Sequence, residues 1–263
     1  INNFPIVLWN NFFFQIIENF MPQNNINNIF IKIIISIILT YIINKLSYFT
    51  NKIKEKFKTG KMKIICIGRN YSEHAKEMKA EVPTEPVFFM KPDTSILKDG
   101  NDFYFPDFTK DLHFECELVV KIDKNGKNIS EIFSHKYYSK FSLGIDFTAR
   151  DLQAECKAKG LPWEKAKAFE HSAPISNVWI DKSEFQDQID FDFFQNGQLK
   201  QKGNSKDMLF SIDQIISYVS KYMTLKTGDL IYTGTPAGVC PVRIGDTLKG
   251  VLNGREMFTF KIK

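Results

Sequence analysis

Two hydrophobic rhythms run along the chain, and they change over near Lys61. In Phe4–Phe20 the polar residues Asn11, Gln15, Glu18 and Asn19 share a stripe at helical spacing. Trp9, Phe12, Phe13, Phe14, Ile16, Ile17 and Phe20 cover the rest, the pattern of a helix that buries most of its circumference in lipid or protein. An Asn-rich turn follows around Pro22–Asn28. Ile29–Ile43 is then almost unbroken in apolar residues, with Lys32 and Ser36 the main exceptions. This run is shorter than the ~20 residues needed to span a bilayer. Extension to Phe49 reaches that length but takes in Asn44 and Lys45.

From Met62 onward the apolar runs are short and punctuated. Met62–Ile67, Val87–Met90, Glu115–Ile122, Phe141–Phe147 and Asp229–Tyr232 read as strands. Ser72–Lys79 and Ser211–Lys221 read as helices. A third helix follows Phe147, with Thr148 and Asp151 spaced as a capping box and Gly160 then Pro162 as its stop. Asn196-Gly197 and Asn253-Gly254 lie between alternating segments and signal hairpins. Many strands with few helices predict an α+β fold, mostly β.

Composition sharpens the boundary. The chain has 263 residues and a net charge of +5. Residues 1–61 hold seven lysines against two glutamates and no Ala, Asp or His, so they carry the whole surplus. Residues 62–263 are close to neutral and do not advertise a nucleic-acid surface. We place the domain boundary at Lys61/Met62. One reading of the leader is translated AT-rich DNA upstream of a start at Met62. The other is an anchor, embedded in a membrane or docked on a partner, with Lys45, Lys52, Lys54, Lys56, Lys58 and Lys61 facing cytoplasm or matrix. The four cysteines form no CxxC pair, which argues against a disulfide framework or a cysteine zinc site.

Candidate chemistry begins at Glu115-Cys116-Glu117. On a strand, residues two apart share a face, so the two carboxylates converge and Cys116 points away. Paired carboxylates repel unless a cation or proton intervenes, and oxygen-only ligation suits a hard ion. A solvated strand face is the alternative for E-x-E alone. Asp146 falls at the end of the next strand, where ligand groups gather, or serves as an ordinary capping aspartate. His74 and Glu77 lie three apart on one helix face, as an oriented general base or a surface ion pair. Arg69, Asn70 and Tyr71 make a polar cluster directly after a strand. Lys167 is either a snorkelling surface lysine or a cation aimed at an anionic substrate. The Gly234–Gly238 loop offers backbone N–H groups to an anion but lacks the Gly-Lys-Ser/Thr of a P-loop.

Taken together, Ile67-Gly68-Arg69-Asn70-Tyr71, His74, Leu112–Leu118 with its Glu115-Cys116-Glu117, Asp146-Phe147-Thr148-Ala149-Arg150-Asp151, Lys157–Trp163 and Thr233–Val239 resemble the fumarylacetoacetate hydrolase family over essentially all of residues 62–263. The likeness is to its mitochondrial acylpyruvate hydrolase and oxaloacetate decarboxylase branch. It implies layered mixed β-sheets with flanking helices, usually as a homodimer, and a mitochondrial location. It implies Mg²⁺ or Mn²⁺ held by Glu115, Glu117 and Asp146. It also implies a His74–Glu77 dyad on a small lid helix, a catalytic Lys167, and substrate contacts from Arg69, Arg150, Gln153 and Thr235. Glu170 is expected to alter the charge near Lys167. The activity implied is C–C cleavage of 3-acylpyruvates, or decarboxylation or tautomerisation of oxaloacetate, through a stabilised enolate. The competing reading is an accessory subunit of a mitochondrial membrane complex, docked through residues 1–61. The enzymatic reading requires Asp146 beside the Glu115/Glu117 pair, with no lysine or arginine head in the gap.

Overall fold

The computed structural model describes residues 37, 38, 40–42, 45, 62–77, 81–98 and 101–263. The chain divides into two units, Ile1–Gly60 and Lys61–Lys263. In the first, Ile37, Ile38, Thr40, Tyr41, Ile42 and Lys45 are helical and exposed, with the Lys45 ammonium 5.4 Å from the Tyr41 ring centre. The remaining leader expectations, including the Phe4–Phe20 helix, lie outside the described residues. No helix among the described residues is long and apolar enough to cross a membrane.

The second unit is built on an eight-stranded sheet. Its path runs Val87–Lys91, Ile64–Gly68, Leu230–Tyr232, Cys116–Ile122, Tyr138–Ile145, Ala173–Ile175 and Ile96–Lys98, with Ile180–Asp181 pairing beside Tyr138–Ile145. Two of its pairings are parallel, Ile64–Gly68 with Leu230–Tyr232 and Ile96–Lys98 with Ala173–Ile175. A four-stranded antiparallel sheet (Gln198–Asn204, Asp190–Gln195, Thr247–Leu252, Arg255–Lys261) and a small three-stranded one (Cys240–Pro241, Leu112–Phe114, Thr148–Ala149) complete the β structure.

Strand parity decides what each face does. Cys116, Leu118, Val120 and Ile122 point into the main core with Phe191, Phe193, Leu248 and Phe258 of the four-stranded sheet. The helix Ile212–Tyr222 adds Ile215, Ile216 and Val219 to that core. Val119 belongs to a smaller cluster with Ile64, Cys66, Leu230 and Tyr232, so the odd-numbered residues of this strand face the other way. Both expected hairpins form. Asn196 and Gly197, like Asn253 and Gly254, have positive φ, as a tight two-residue turn with matching twist requires. Gly160 closes the helix Arg150–Lys159 in the left-handed conformation, φ 63°.

Several local expectations are corrected. Glu115 is not a strand residue: it sits at the break between Leu112–Phe114 and Cys116–Ile122, which belong to different sheets. The strand expected to reach Phe147 ends at Ile145, leaving Asp146 just beyond it. Thr148 does not cap the following helix. Ala149 holds the N-cap position without a side-chain bond, because the Thr148 hydroxyl donates to the Asp146 carbonyl and Asp151 instead accepts from Thr109 and the Lys110 N–H.

Candidate active site

Antiparallel pairing brings the acidic residues together. Cys116 stands opposite Ile145 and Glu117 opposite Gly144. One step past the strand end the Asp146 N–H donates to the Glu115 carbonyl at 2.8 Å. Carboxylate oxygens of Glu115, Glu117 and Asp146 all lie within 4.8 Å of one another, and all three residues are buried. The cleft they floor is also lined by Arg69, His74, Arg150, Gln153, Lys167 and Thr235, with walls from Val87, Phe89, Lys157 and Trp163. Of the residues expected to bind metal or substrate or to act as catalysts, Glu77 is not part of this lining.

Glu77 acts through its neighbours. Its Oε2 lies 3.2 Å from His74 Nδ1, and its oxygens accept from the Gly238 N–H at 3.2 and 3.3 Å. The short helix Ser72–Glu77 is thereby tied to the Gly234–Gly238 loop. The same loop is pinned from below. The Asn70 amide donates to the carbonyls of Phe210 and Thr233 and accepts from the Phe210 N–H. Gly234, at φ 101°, passes so close that a Cβ there would lie 2.7 Å from the Asn70 Cβ. Held between Gly68 and this anchored asparagine, Arg69 adopts φ 58°, a strained backbone for a residue with a Cβ.

The gap between the carboxylates is not clear of cations, so the empty gap set as a requirement of the enzymatic reading is not met. That requirement is corrected, because the cations still leave Glu117 without a lysine or arginine among the described residues and one oxygen of Asp146 without a hydrogen bond. Lys167, on the turn of helix Glu164–Lys167, sends its ammonium to 2.8 Å from Glu115 Oε2 and 2.7 Å from Asp146 Oδ2. Arg150 Nη2 takes Glu115 Oε1 at 2.7 Å, and Lys91 Nζ lies 2.8 Å from Asp146 Oδ1. The Lys91 ammonium nevertheless directs its hydrogen bonds at the Lys167 carbonyl and at Ser172. Asp146 Oδ1 is therefore buried with charge nearby but no hydrogen bond. Glu117 pairs with no lysine or arginine among the described residues and accepts from the Gly234 N–H at 2.8 Å.

The electrostatics follow this division. Burial raises the proton affinity of Glu115, but Lys167, Arg150 and His74 outweigh it and hold the carboxyl below its ordinary range. Burial raises Glu117 well above that range, and the charges of Asp146 and Glu115 push the same way. For Lys167, burial opposes protonation while Asp146 and Glu115 more than restore it. The set of donors is all oxygen. One carboxylate lacks a cation and one buried oxygen lacks a hydrogen bond. A small hard divalent ion fits that deficit, in exchange for contacts that Lys167 now makes.

Other residues hold the site without having been legible in the sequence. Gln201 spans two sheets: it accepts from the Cys116 N–H and donates to Thr235 Oγ1 and the Pro236 carbonyl. The Thr235 hydroxyl in turn donates to the Cys116 carbonyl at 2.8 Å, so that proton is committed to the protein. Lys91 follows the apolar run Val87–Met90. Nothing in its spacing announces that it is buried beneath Asp146. Glu170 is exposed and does not line the cleft.

A mixed-sheet α+β unit, its acidic cluster backed by a lysine and faced by a histidine–glutamate pair, defines a metal-site enzyme of one family. The family profile described as Fumarylacetoacetate (FAA) hydrolase C-terminal matches residues 63–260, and the chain belongs to the fumarylacetoacetate hydrolase family. It is 43% identical over 202 residues to the bovine (Bos taurus) protein named oxaloacetate tautomerase FAHD1, mitochondrial, covering 76% of this chain and 91% of that one. It is 42% identical over 203 residues to the mitochondrial oxaloacetate decarboxylase of Dictyostelium discoideum, covering 76% and 92%. Among solved structures, fumarylpyruvate hydrolase from Pseudomonas aeruginosa, in complex with Mn²⁺ and pyruvate, superposes with a TM-score of 0.72 at 31% identity, covering 76% and 88%.

Proposed function

We propose that this chain is a divalent-metal-dependent mitochondrial enzyme acting on small 2-oxo acids. It tautomerises or decarboxylates oxaloacetate, or cleaves the C–C bond of 3-acylpyruvates, through an enolate. The observation that carries this reading is the buried meeting of Glu115, Glu117 and Asp146 within 4.8 Å under a cleft that also presents His74 and Lys167. A Mg²⁺ or Mn²⁺ ion held by those three carboxylates supplies a Lewis acid and an orienting charge for the 2-oxo acid.

The protein's own groups divide the remaining work. With Glu77 accepting from His74 Nδ1, Nε2 is the ring nitrogen left to act as the base. In tautomerisation Nε2 takes a proton from C3, that C–H electron pair becomes the C2–C3 double bond, and the 2-oxo oxygen gains a proton; the reverse step returns the proton to C3. In hydrolysis Nε2 takes a proton from the water that attacks the distal carbonyl, and the breaking C–C bond leaves its electrons on the pyruvate portion. Lys167 places its ammonium beside the oxygen that gains negative charge. Arg69, Arg150, Gln153 and Thr235 surround the substrate. Residues 62–263 form the catalytic domain, and residues 1–61 an extension that attaches it to a membrane or partner on the matrix side. The catalytic unit pairs as a homodimer.

Glu115→Ala is expected to abolish metal binding, by calorimetric titration, and turnover of oxaloacetate and acetylpyruvate together. Glu117→Gln, which preserves shape, is expected to weaken metal binding strongly while the protein stays folded. Full activity in Glu115→Ala would end the proposal.

A further inference from the structure

The cations of the cleft fall into two groups. Arg150 and Lys167 are engaged by Glu115 and Asp146. Lys157 and Arg69 have no carboxylate partner among the described residues, yet both line the cleft. Lys157 is held by neutral groups. Its ammonium lies 3.4 Å from Gln153 Oε1 and 5.6 Å from the centre of the Trp163 ring.

Helix geometry explains why Lys157 reaches inward. Arg150, Gln153 and Lys157 stand at i, i+3 and i+7, hence on one face of the helix Arg150–Lys159. Lys157 therefore starts about 10 Å further along the axis than Arg150. Its side chain folds back one turn to Gln153, whose Oε1 already accepts from Arg150 Nη1 at 2.9 Å. A hydrogen-bonded line thus runs from Glu115 through Arg150 and Gln153 to Lys157, leading from the acidic floor outward. Arg69 approaches the same space from the end of strand Ile64–Gly68, its side chain directed by the strained φ of 58°. Burial lowers the proton affinity of Lys157, and the charges of Arg150, Arg69 and Lys167 lower it further. The space between these cations is thus short of negative charge.

We propose that Lys157 and Arg69 form the specificity-determining cation pair of the cleft and receive a second, distal carboxylate, so that the enzyme selects dianionic 2-oxo acids over those with a neutral tail. This rests on the reading of the cleft as a 2-oxo acid site. The 1-carboxylate and 2-oxo group belong at the acidic floor, and the outer pair reads what the substrate carries beyond C3. Trp163, whose ring centre lies 5.6 Å from the Lys157 ammonium, keeps that outer region apolar enough for one charge pair to discriminate.

The test uses the full chain loaded with Mg²⁺ and two ligands of equal length that differ only in a distal carboxylate or methyl, 2-oxoglutarate and 2-oxopentanoate. Their dissociation constants are measured by calorimetry. The wild type is expected to bind the dianion about tenfold or more tighter, the scale of one charge-assisted pair. Lys157→Met and Arg69→Met are each expected to cut that ratio by roughly tenfold, and Lys157→Arg to keep it within about threefold. Equal binding of both ligands by the wild type would overturn the cation pair while leaving the 2-oxo acid reading intact, as would an unchanged ratio in both methionine variants. Binding of neither ligand would overturn both. A preserved ratio with no turnover of any 2-oxo acid would uphold the pair and sink the catalytic reading.

Discussion

Replacing Lys167 by methionine separates the contact it makes with the acidic cluster from the catalytic role proposed for it. The Lys167 ammonium holds one oxygen each of Glu115 and Asp146, at 2.8 and 2.7 Å. At an effective dielectric of about 20, charges that close attract by roughly 6 kcal/mol per pair. Most of this is offset by the desolvation of three buried groups. The net loss on removing one member of such a cluster is about 3–5 kcal/mol, because the remaining charges stay buried and uncompensated. Without metal, Lys167→Met is therefore expected to melt roughly 6–20 °C below the wild type. With metal the order of effects reverses. In the wild type an incoming ion would share Glu115 and Asp146 with the ammonium, and in the variant it would not. Mg²⁺ is thus expected to bind Lys167→Met at least about tenfold more tightly, a difference near 1.4 kcal/mol. The melting temperature should accordingly rise more in the variant than in the wild type between chelator and saturating Mg²⁺. Turnover should be lost even with the site filled. Thermal melts with chelator and with Mg²⁺, together with a calorimetric titration, provide the assay. Metal affinity that is equal or weaker in the variant would refute the idea that lysine and ion compete for the same oxygens.

Three further outcomes are expected elsewhere. Gln201→Leu leaves the buried Cys116 N–H without its acceptor and Thr235 without its donor, at a cost of about 1–3 kcal/mol in urea unfolding. The loss should be accompanied by weaker substrate binding, and an unchanged denaturation midpoint would count against the sheet-to-loop tie. Gly238→Ala adds a Cβ 2.0 Å from the Lys200 carbonyl oxygen at φ 99°. Because Gly238 also holds Glu77, both stability and kcat should fall, and normal kcat would detach the dyad from this loop. Asp246 tests the acid limb. Burial raises its proton affinity, but hydrogen bonds from Asn196, the Arg243 N–H and Gln195 outweigh it, leaving the carboxyl below its ordinary value. Its contribution to stability is therefore present above the ordinary aspartate range, about pH 4, and is lost as the pH falls through the lowered value. The stability gap between wild type and Asp246→Asn should stay constant above about pH 5 and close toward pH 3, and a gap that widens in acid would contradict this assignment.

What the sequence revealed depended on whether the relevant physics was local. The Asn-Gly hairpins and the Gly160 stop were legible because their signal lies in one or two residues whose φ is restricted. Glu115 and Glu117 were legible as a pair because parity along an extended segment survives the break at Glu115. The capping box at Thr148 failed for a non-local reason. The three-stranded sheet claims Thr148 and Ala149 as a strand opposite Leu112 and His113, so the helix begins only at Arg150 and Ala149, which has no side-chain acceptor, takes the cap position. Lys91, Gln201 and Lys157 were invisible as functional residues for a related reason. Each is an ordinary polar residue on an ordinary element until another segment is folded against it.

The same distinction explains why the expectation of an empty gap was wrong while the acidic cluster was right. Convergence of the carboxylates is set by strand pairing: Glu117 opposite Gly144, and Asp146 donating its N–H to the Glu115 carbonyl. No cation is needed to bring them together. What neutralises them is a separate question, answered by side chains arriving from Val87–Lys91, Arg150–Lys159 and Glu164–Lys167. A fold that forces acids together must supply positive charge before any ion arrives, or the acids would repel or protonate. Lys91 and Arg150 can remain at the rim of the cluster when the site is filled. Lys167 straddles Glu115 and Asp146, so of the three cations it is the one whose contacts an ion at the cluster would replace.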